Sequence, residues 1–212
     1  DDTSWGDGGD DLLIGGAGVN HLHGGDGDDI IDARLGFGGL NGDAGNDVLD
    51  GGDGIDIFDM SGSGVAVSVN LLTGVISGSD GTDTLTSIEN LMGSAHNDVL
   101  TGDAGDNVLV GADGDDSIAG GDGNDVLAGG AGADVLDGGD GNDTIDGSSG
   151  NNTLTGGTGN DSIDVGGSST IHGGEGDDFI AIRLQGNVVD TGAGSDTVYL
   201  REPEMPTGAD VA

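Results

Sequence analysis

Large aliphatic residues recur every nine positions along most of this chain. Leu127, Leu136 and Ile145 each sit at the centre of a three-residue stretch, and six residues rich in glycine and aspartate precede each stretch. The unit reads Gly-Gly-x-Gly-x-Asp-x-U-x, with U a large aliphatic residue. Residues 6–59 hold six contiguous units, with Leu13, Leu22, Ile31, Leu40, Leu49 and Phe58 in eighth place. Residues 93–199 hold twelve more, with Leu100, Leu109, Ile118, Leu127, Leu136, Ile145, Leu154, Ile163, Ile171, Ile180, Val189 and Val198 in that place. The eighth position stays apolar throughout. The sixth is less strict: Asn20, Gly38, Asn107, Asn152 and Asn187 replace the aspartate, and the unit at 165–172 is one residue short and has no acid.

A strict short period of this kind is the mark of a solenoid, in which each repeat buries its apolar face only by stacking on its neighbours. The glycine-rich six residues predict a tight turn, since glycine reaches positive φ and lets another backbone approach. The last three predict a short strand whose middle side chain points inward, because side chains alternate. Two units, one per side, make an eighteen-residue coil, and coils stack at about 4.8 Å. The predicted fold is therefore all-β, a right-handed parallel β-roll. Asp125 then lies one coil below Asp143, and Asp143 one coil below Asp161. Carboxylates stacked so closely repel unless a cation separates them.

Composition sharpens this picture. Lys and Arg total 3 against 41 acids, for a net charge of −38, and only Glu89, Glu175, Glu202 and Glu204 of those acids are glutamates. Aspartate keeps its carboxylate close to the backbone, which suits turns and oxygen-ligand cages. So acidic a chain is repelled by nucleic acid and anionic membranes. No apolar run is long enough to span a bilayer. Cysteine is absent, which excludes thiolate sites and disulfides. Oxygen ligands alone point to Ca²⁺ rather than Zn²⁺ or Mg²⁺.

The nonads resemble the RTX (repeats-in-toxin) calcium-binding β-roll, and the resemblance covers residues 1–199 apart from 60–92. It implies one Ca²⁺ between turn n and turn n+2. The earlier turn offers carbonyls at positions two and four, the later turn carbonyls at positions one and three, and both offer the sixth-place aspartate. Thus Gly121, Gly123 and Asp125 share an ion with Gly138, Asp140 and Asp143. Asp11 and Asp29 do so with Gly24 and Asp26. Asp29 and Asp47 use Gly25, Gly27, Gly42 and Ala44. In the second block Asp98 and Asp116 take Gly111 and Asp113, while Asp116 and Asp134 take Gly114, Gly129 and Ala131. Asp143 and Asp161 take Gly139, Gly141, Gly156 and Thr158. Further on, Asp161 and Asp178 use Gly157, Gly159, Gly173 and Glu175, and Asp178 and Asp196 use Gly174, Gly176, Thr191 and Ala193. Asn107 above Asp125 and Asn152 above Asp134 imply weaker sites, and Asp56 adds one more ligand. In all, about 8–10 Ca²⁺ are expected, along the whole edge from Asp125 to Asp196 but only the N-terminal half of the other.

Residues 60–92 leave the frame. Val65, Val67 and Val69 alternate with small residues and predict a strand, while Leu85, Ile88 and Leu91 can return apolar groups to the roll. A longer ion-free coil is the expectation, with a separate binding element as the alternative. His21 and His23 flank Leu22 on one strand and predict two exposed histidines rather than a metal pair. Aspartates at such spacing could imitate glycosidase pairs, but their periodicity is explained by ions. The outward seventh and ninth positions lack the regular threonine rank an ice-binding face needs. The chain therefore reads as non-catalytic.

The expected organisation is a first block at 1–59, which starts mid-repeat, an insert at 60–92, a second block at 93–199 and a cap or linker at 200–212. The chain reads as a segment of a longer protein, and no cleavable secretory signal is visible at its start. The resemblance implies a calcium-folded module of a secreted exoenzyme or toxin, exported by type I secretion and acting outside, or on the surface of, a Gram-negative cell. The alternative is a segment of an adhesin or S-layer protein. Partners beyond calcium, including self-assembly or surface attachment, would come through other parts of the parent.

Overall fold

The structure is a computed structural model that describes residues 3–14, 18–26, 30–32, 36–44, 48–52, 55–77, 84–183 and 186–201; between 15 and 47 Leu22 is the one side chain described. Outside residues 68–86, successive strands feed two sheets in turn, as two short strands per eighteen residues require. One sheet stacks β1 (Thr3–Trp5), β3 (Gly18–Asp26), β5 (Gly36–Ala44), β7 (Ile57–Asp59), β11 (Asn90–Met92), β13 (Val108–Asp113), β15 (Val126–Ala131), β17 (Thr144–Ser148), β19 (Ser162–Val165), β21 (Phe179–Ile182) and β23 (Thr197–Leu200). The other stacks β2 (Leu12–Ile14), β4 (Ile30–Asp32), β6 (Val48–Asp50), β10 (Thr84–Thr86), β9 (Val75–Ser77), β8 (Ser68–Asn70), β12 (Val99–Thr101), β14 (Ser117–Asp122), β16 (Val135–Asp140), β18 (Thr153–Thr158), β20 (Thr170–Glu175) and β22 (Val188–Ala193). The fold is the expected parallel β-roll, and no helix occurs among the described residues.

Register puts like on like. Leu109, Leu127, Ile145, Ile163 and Ile180 stack in one sheet, and Leu100, Ile118, Leu136, Leu154 and Ile171 in the other. All ten are buried. Each removes most of a large aliphatic side chain from water, a gain of about 1.5–3 kcal/mol apiece. Val198, assigned an inward place by the repeat, is 43 % exposed. It lies on β23, the end strand of its sheet, where no further described coil covers it.

Two expectations about strands are corrected. Most of the predicted three-residue strands lengthen in the second block, seven of them to six residues, because residues of the following turn also pair with the next coil, as Gly121 does with Gly139 and Asp122 with Asp140. The insert is not a plain longer coil. Strands β8, β9 and β10 form an antiparallel meander in which β10 pairs with β6 and β8 with β12. The chain leaves β8 through a short turn, where Asn70 Oδ1 accepts the Thr73 N–H at 2.8 Å. So short a link permits only an antiparallel return. Val67, Val69, Ile76, Leu85, Ile88 and Leu91 are all buried, so the meander carries the core across the gap between blocks.

Candidate metal centres in the stacked turns

Each turn is built around its glycines. At Gly141 φ is +140°, and an added Cβ would lie 1.6 Å from the Gly123 carbonyl oxygen one coil below. At Gly120 an added Cβ would lie 2.2 Å from Asp125 Oδ2 and 2.6 Å from the Gly138 carbonyl oxygen. Glycine thus keeps open the small space on which a carboxylate of one turn and a carbonyl of the next converge. The same crowding recurs at Gly138, with Asp143 Oδ2 and the Gly156 carbonyl, and at Gly156, with Asp161 Oδ2 and the Gly173 carbonyl.

The sixth-place residues form a continuous ladder on each edge. On one, Asn107 N–H donates to Asp125 Oδ1 at 2.8 Å, Asp125 N–H to Asp143 Oδ1 at 2.8 Å, Asp143 N–H to Asp161 Oδ1 at 2.8 Å, Asp161 N–H to Asp178 Oδ1 at 2.9 Å and Asp178 N–H to Asp196 Oδ1 at 3.1 Å. On the other, Asp98 N–H donates to Asp116, Asp116 N–H to Asp134 and Asp134 N–H to Asn152. One carboxylate oxygen of each such aspartate therefore has a donor. The second does not: Oδ2 of Asp116, Asp125, Asp134, Asp143, Asp161 and Asp178 is buried with no hydrogen-bond partner. A buried carboxylate oxygen left without a partner is costly. Burial first, then neighbouring carboxylates, push Asp116, Asp125 and Asp161 up to about 6, against the partial relief of a backbone N–H. Burial likewise raises Asp134, Asp143 and Asp178.

These features fit a hard divalent cation. Every donor is an oxygen, the unpartnered atoms recur at the same place in the turns of six sixth-place aspartates, and a bound Ca²⁺ would supply the missing positive charge. The raised values also set a pH dependence. A folded pKa above the unfolded one means the ion-free fold holds more protons than the unfolded chain between about pH 4 and pH 6, so its stability falls as pH rises through that window. In chelator, the β signal in circular dichroism should therefore grow between pH 7 and pH 4. A spectrum unchanged over that range would contradict the ladder's burial.

Three sixth-place residues behave differently. The Asp98 carboxylate is already satisfied by the Ser94 N–H at 2.6 Å, the Ser94 hydroxyl and the Val67 N–H at 2.8 Å. Asn107 Oδ1 accepts from Asp103 N–H at 2.9 Å. Asn152 pairs its amide with the Gly147 carbonyl. Across the short unit, Ser169 takes the ladder position: Asn152 N–H donates to its hydroxyl at 3.1 Å, and Ser169 N–H to Asn187 Oδ1 at 2.7 Å. Asp29, Asp47 and Gly27 lie outside the described residues, and for Gly24, Gly25, Asp26, Gly42 and Ala44 the described part is the strand backbone. The side chains of His21 and His23 are likewise outside, whereas His96 and His172 are exposed.

A second ladder was not foreseen. Fifth-place residues, read only as variable, bond in the opposite sense: Asn124 N–H donates to Asp106 Oδ1 at 2.7 Å, Asn142 to Asn124 at 3.0 Å, Asn160 to Asn142 at 2.8 Å and Asp177 to Asn160 at 2.7 Å. Their spacing of eighteen, then seventeen, residues was the available signal. Viewed unit by unit it is diluted by the other edge, where Ala133 ends the series.

The RTX calcium-binding nonapeptide repeat matches residues 5–38, 40–59 and overlapping stretches that together span 92–181. The chain belongs to the RTX calcium-binding nonapeptide-repeat family. The RTX repeats thus cover most of it and stop on either side of the meander. No curated protein matches the chain in sequence. Among solved structures, this RTX chain is similar to the extracellular lipase LipA from Serratia marcescens at 24 % identity and a TM-score of 0.26; the match covers 74 % of this chain and 31 % of the lipase, so the chain spans about a third of that protein.

Proposed function

We propose that this chain is a calcium-triggered folding module of a secreted protein, unfolded where Ca²⁺ is scarce and folded where it is abundant. The observation that carries this is the row of buried, unpartnered Oδ2 atoms in Asp116, Asp125, Asp134, Asp143, Asp161 and Asp178. The chain's own residues prepare each centre. Backbone N–H groups orient the carboxylates, glycines admit the carbonyls, and the aliphatic columns hold the coils in register. The role is non-catalytic, and the parent is an exoprotein of a Gram-negative cell, in keeping with where RTX repeats occur.

Asp143→Ala tests the sharing of ions between turns. Asp143 stands between Asp125 and Asp161 in the ladder, so if each ion is shared by successive coils, calorimetric titration should find about two ions fewer per chain than in the wild type. Loss of one ion or none would mean that each aspartate serves only its own turn.

A further inference from the structure

The meander rejoins the first sheet one coil above Asp56. Asn90 stacks on Ile57, and Val108 stacks on Asn90. Glu89 therefore stands between Asp56 and Asn107 in the column of sixth-place residues, although it lies outside the nonad frame. It accepts the ladder's hydrogen bond from the coil below all the same, while its own N–H donates to the Asp56 carbonyl at 3.3 Å. Asp56 N–H donates to Glu89 Oε2 at 2.9 Å, as Asp125 N–H does to Asp143 Oδ1, and Asn107 Nδ2 donates to the Glu89 carbonyl at 2.8 Å.

The neighbouring backbone follows suit. Gly51 N–H donates to the Thr86 carbonyl at 3.0 Å, as Gly102 N–H does to that of Ala119. An added Cβ at Gly51 would lie 2.1 Å from the Ser87 carbonyl oxygen and 2.9 Å from Asp56 Oδ2, so Ser87 stands where Gly138 stands beside Gly120. Asp56 is completely buried, and both of its carboxylate oxygens lack a hydrogen-bond partner. Two such oxygens beside a second, half-buried carboxylate are unfavourable in the absence of a cation.

The geometry points to a calcium site closed by Asp56, Glu89 and the Ser87 carbonyl, which the nine-residue signature does not encode and which ties the meander to the first repeat block. It rests on the reading that the ladder holds calcium. With oxygen donors only, the same class of hard cation is selected.

Native mass spectrometry of the full chain in Ca²⁺ counts the ions. Glu89→Gln and Asp56→Asn are each expected to bind one ion fewer than the wild type, and the double variant also one fewer, because both side chains serve one site. Asp143→Asn separates the two readings. If it loses ions while the counts of Glu89→Gln and Asp56→Asn stay at the wild-type value, this site is overturned and the ladder stands. A wild-type chain that binds no Ca²⁺ overturns both. Should a buried variant fail to fold, the wild type decides: anomalous diffraction from calcium-grown crystals should show a peak beside Asp56 and Glu89. An occupied ladder with no peak there overturns the proposal.

Discussion

In excess chelator at neutral pH the chain is expected to lose its β-type circular dichroism, and in millimolar Ca²⁺ to regain it. The reason lies in the columns. Asp125, Asp143, Asp161 and Asp178 are buried one above another. At a coil spacing of about 4.8 Å and an effective dielectric of about 20, each adjacent pair of carboxylates repels by about 3 kcal/mol. Three adjacent pairs on this one edge give about 10 kcal/mol, as large as the whole stability of an ordinary domain. Protons could relieve it, but values of about 6 leave Asp125 and Asp161 mostly ionised at pH 7. Cations are the remaining relief, and folding free energy becomes binding free energy. Mg²⁺ should replace Ca²⁺ poorly, because it requires a tighter octahedron and gives up its water reluctantly. A chelated chain that is already β-rich and melts cooperatively at pH 7 would refute the scheme.

Leu136→Ala should destabilise the calcium-loaded roll by about 2–5 kcal/mol. Leu136 is fully buried and stacks between Ile118 and Leu154. In a solenoid each coil contacts mainly its neighbours, so few side chains can move in to fill the gap. For a chain of this size the loss corresponds to a fall in Tm of about 4–20 °C. Leu12, also on a strand but 64 % exposed, supplies the comparison: Leu12→Ala should change stability by less than about 0.5 kcal/mol. Thermal unfolding in saturating Ca²⁺ measures both, and equal effects at the two positions would show that the aliphatic columns are not the core.

The period of nine was enough to derive the roll, its inward columns and the pairing of Asp125 with Asp143, because one side chain type recurs at one place in a regular coil. The meander was harder to read. Val67 and Val69 announced a strand, yet strand direction depends on loop length and on which free edge the returning chain meets, and alternation carries neither. The satisfied state of Asp98 was hidden for a similar reason: its donors are Ser94, in a place otherwise held mostly by glycine, and Val67, thirty-one residues away. Glu89 was invisible to a search for a nine-residue frame, since only the return of β11 onto β7 brings it above Asp56.

The short unit at 165–172 shows where such a chain tolerates change in length. One residue is missing, yet Thr170 still pairs with Thr153 and Phe179 with Ser162. The ladder on the far side is unbroken, since Asp178 still receives the Asp161 N–H. The deletion is absorbed in the turn where Ser169 replaces an acid and meets Asn152 and Asn187 through neutral hydrogen bonds. A deletion in the turn before Asp143 or Asp161 would instead misplace a charged rung and the carbonyls that face it. Lineages of this repeat should therefore gain and lose single residues on the neutral edge after 147, while the charged edge keeps its length. A designer seeking a place to splice in a loop or a label would choose 165–169 for the same reason.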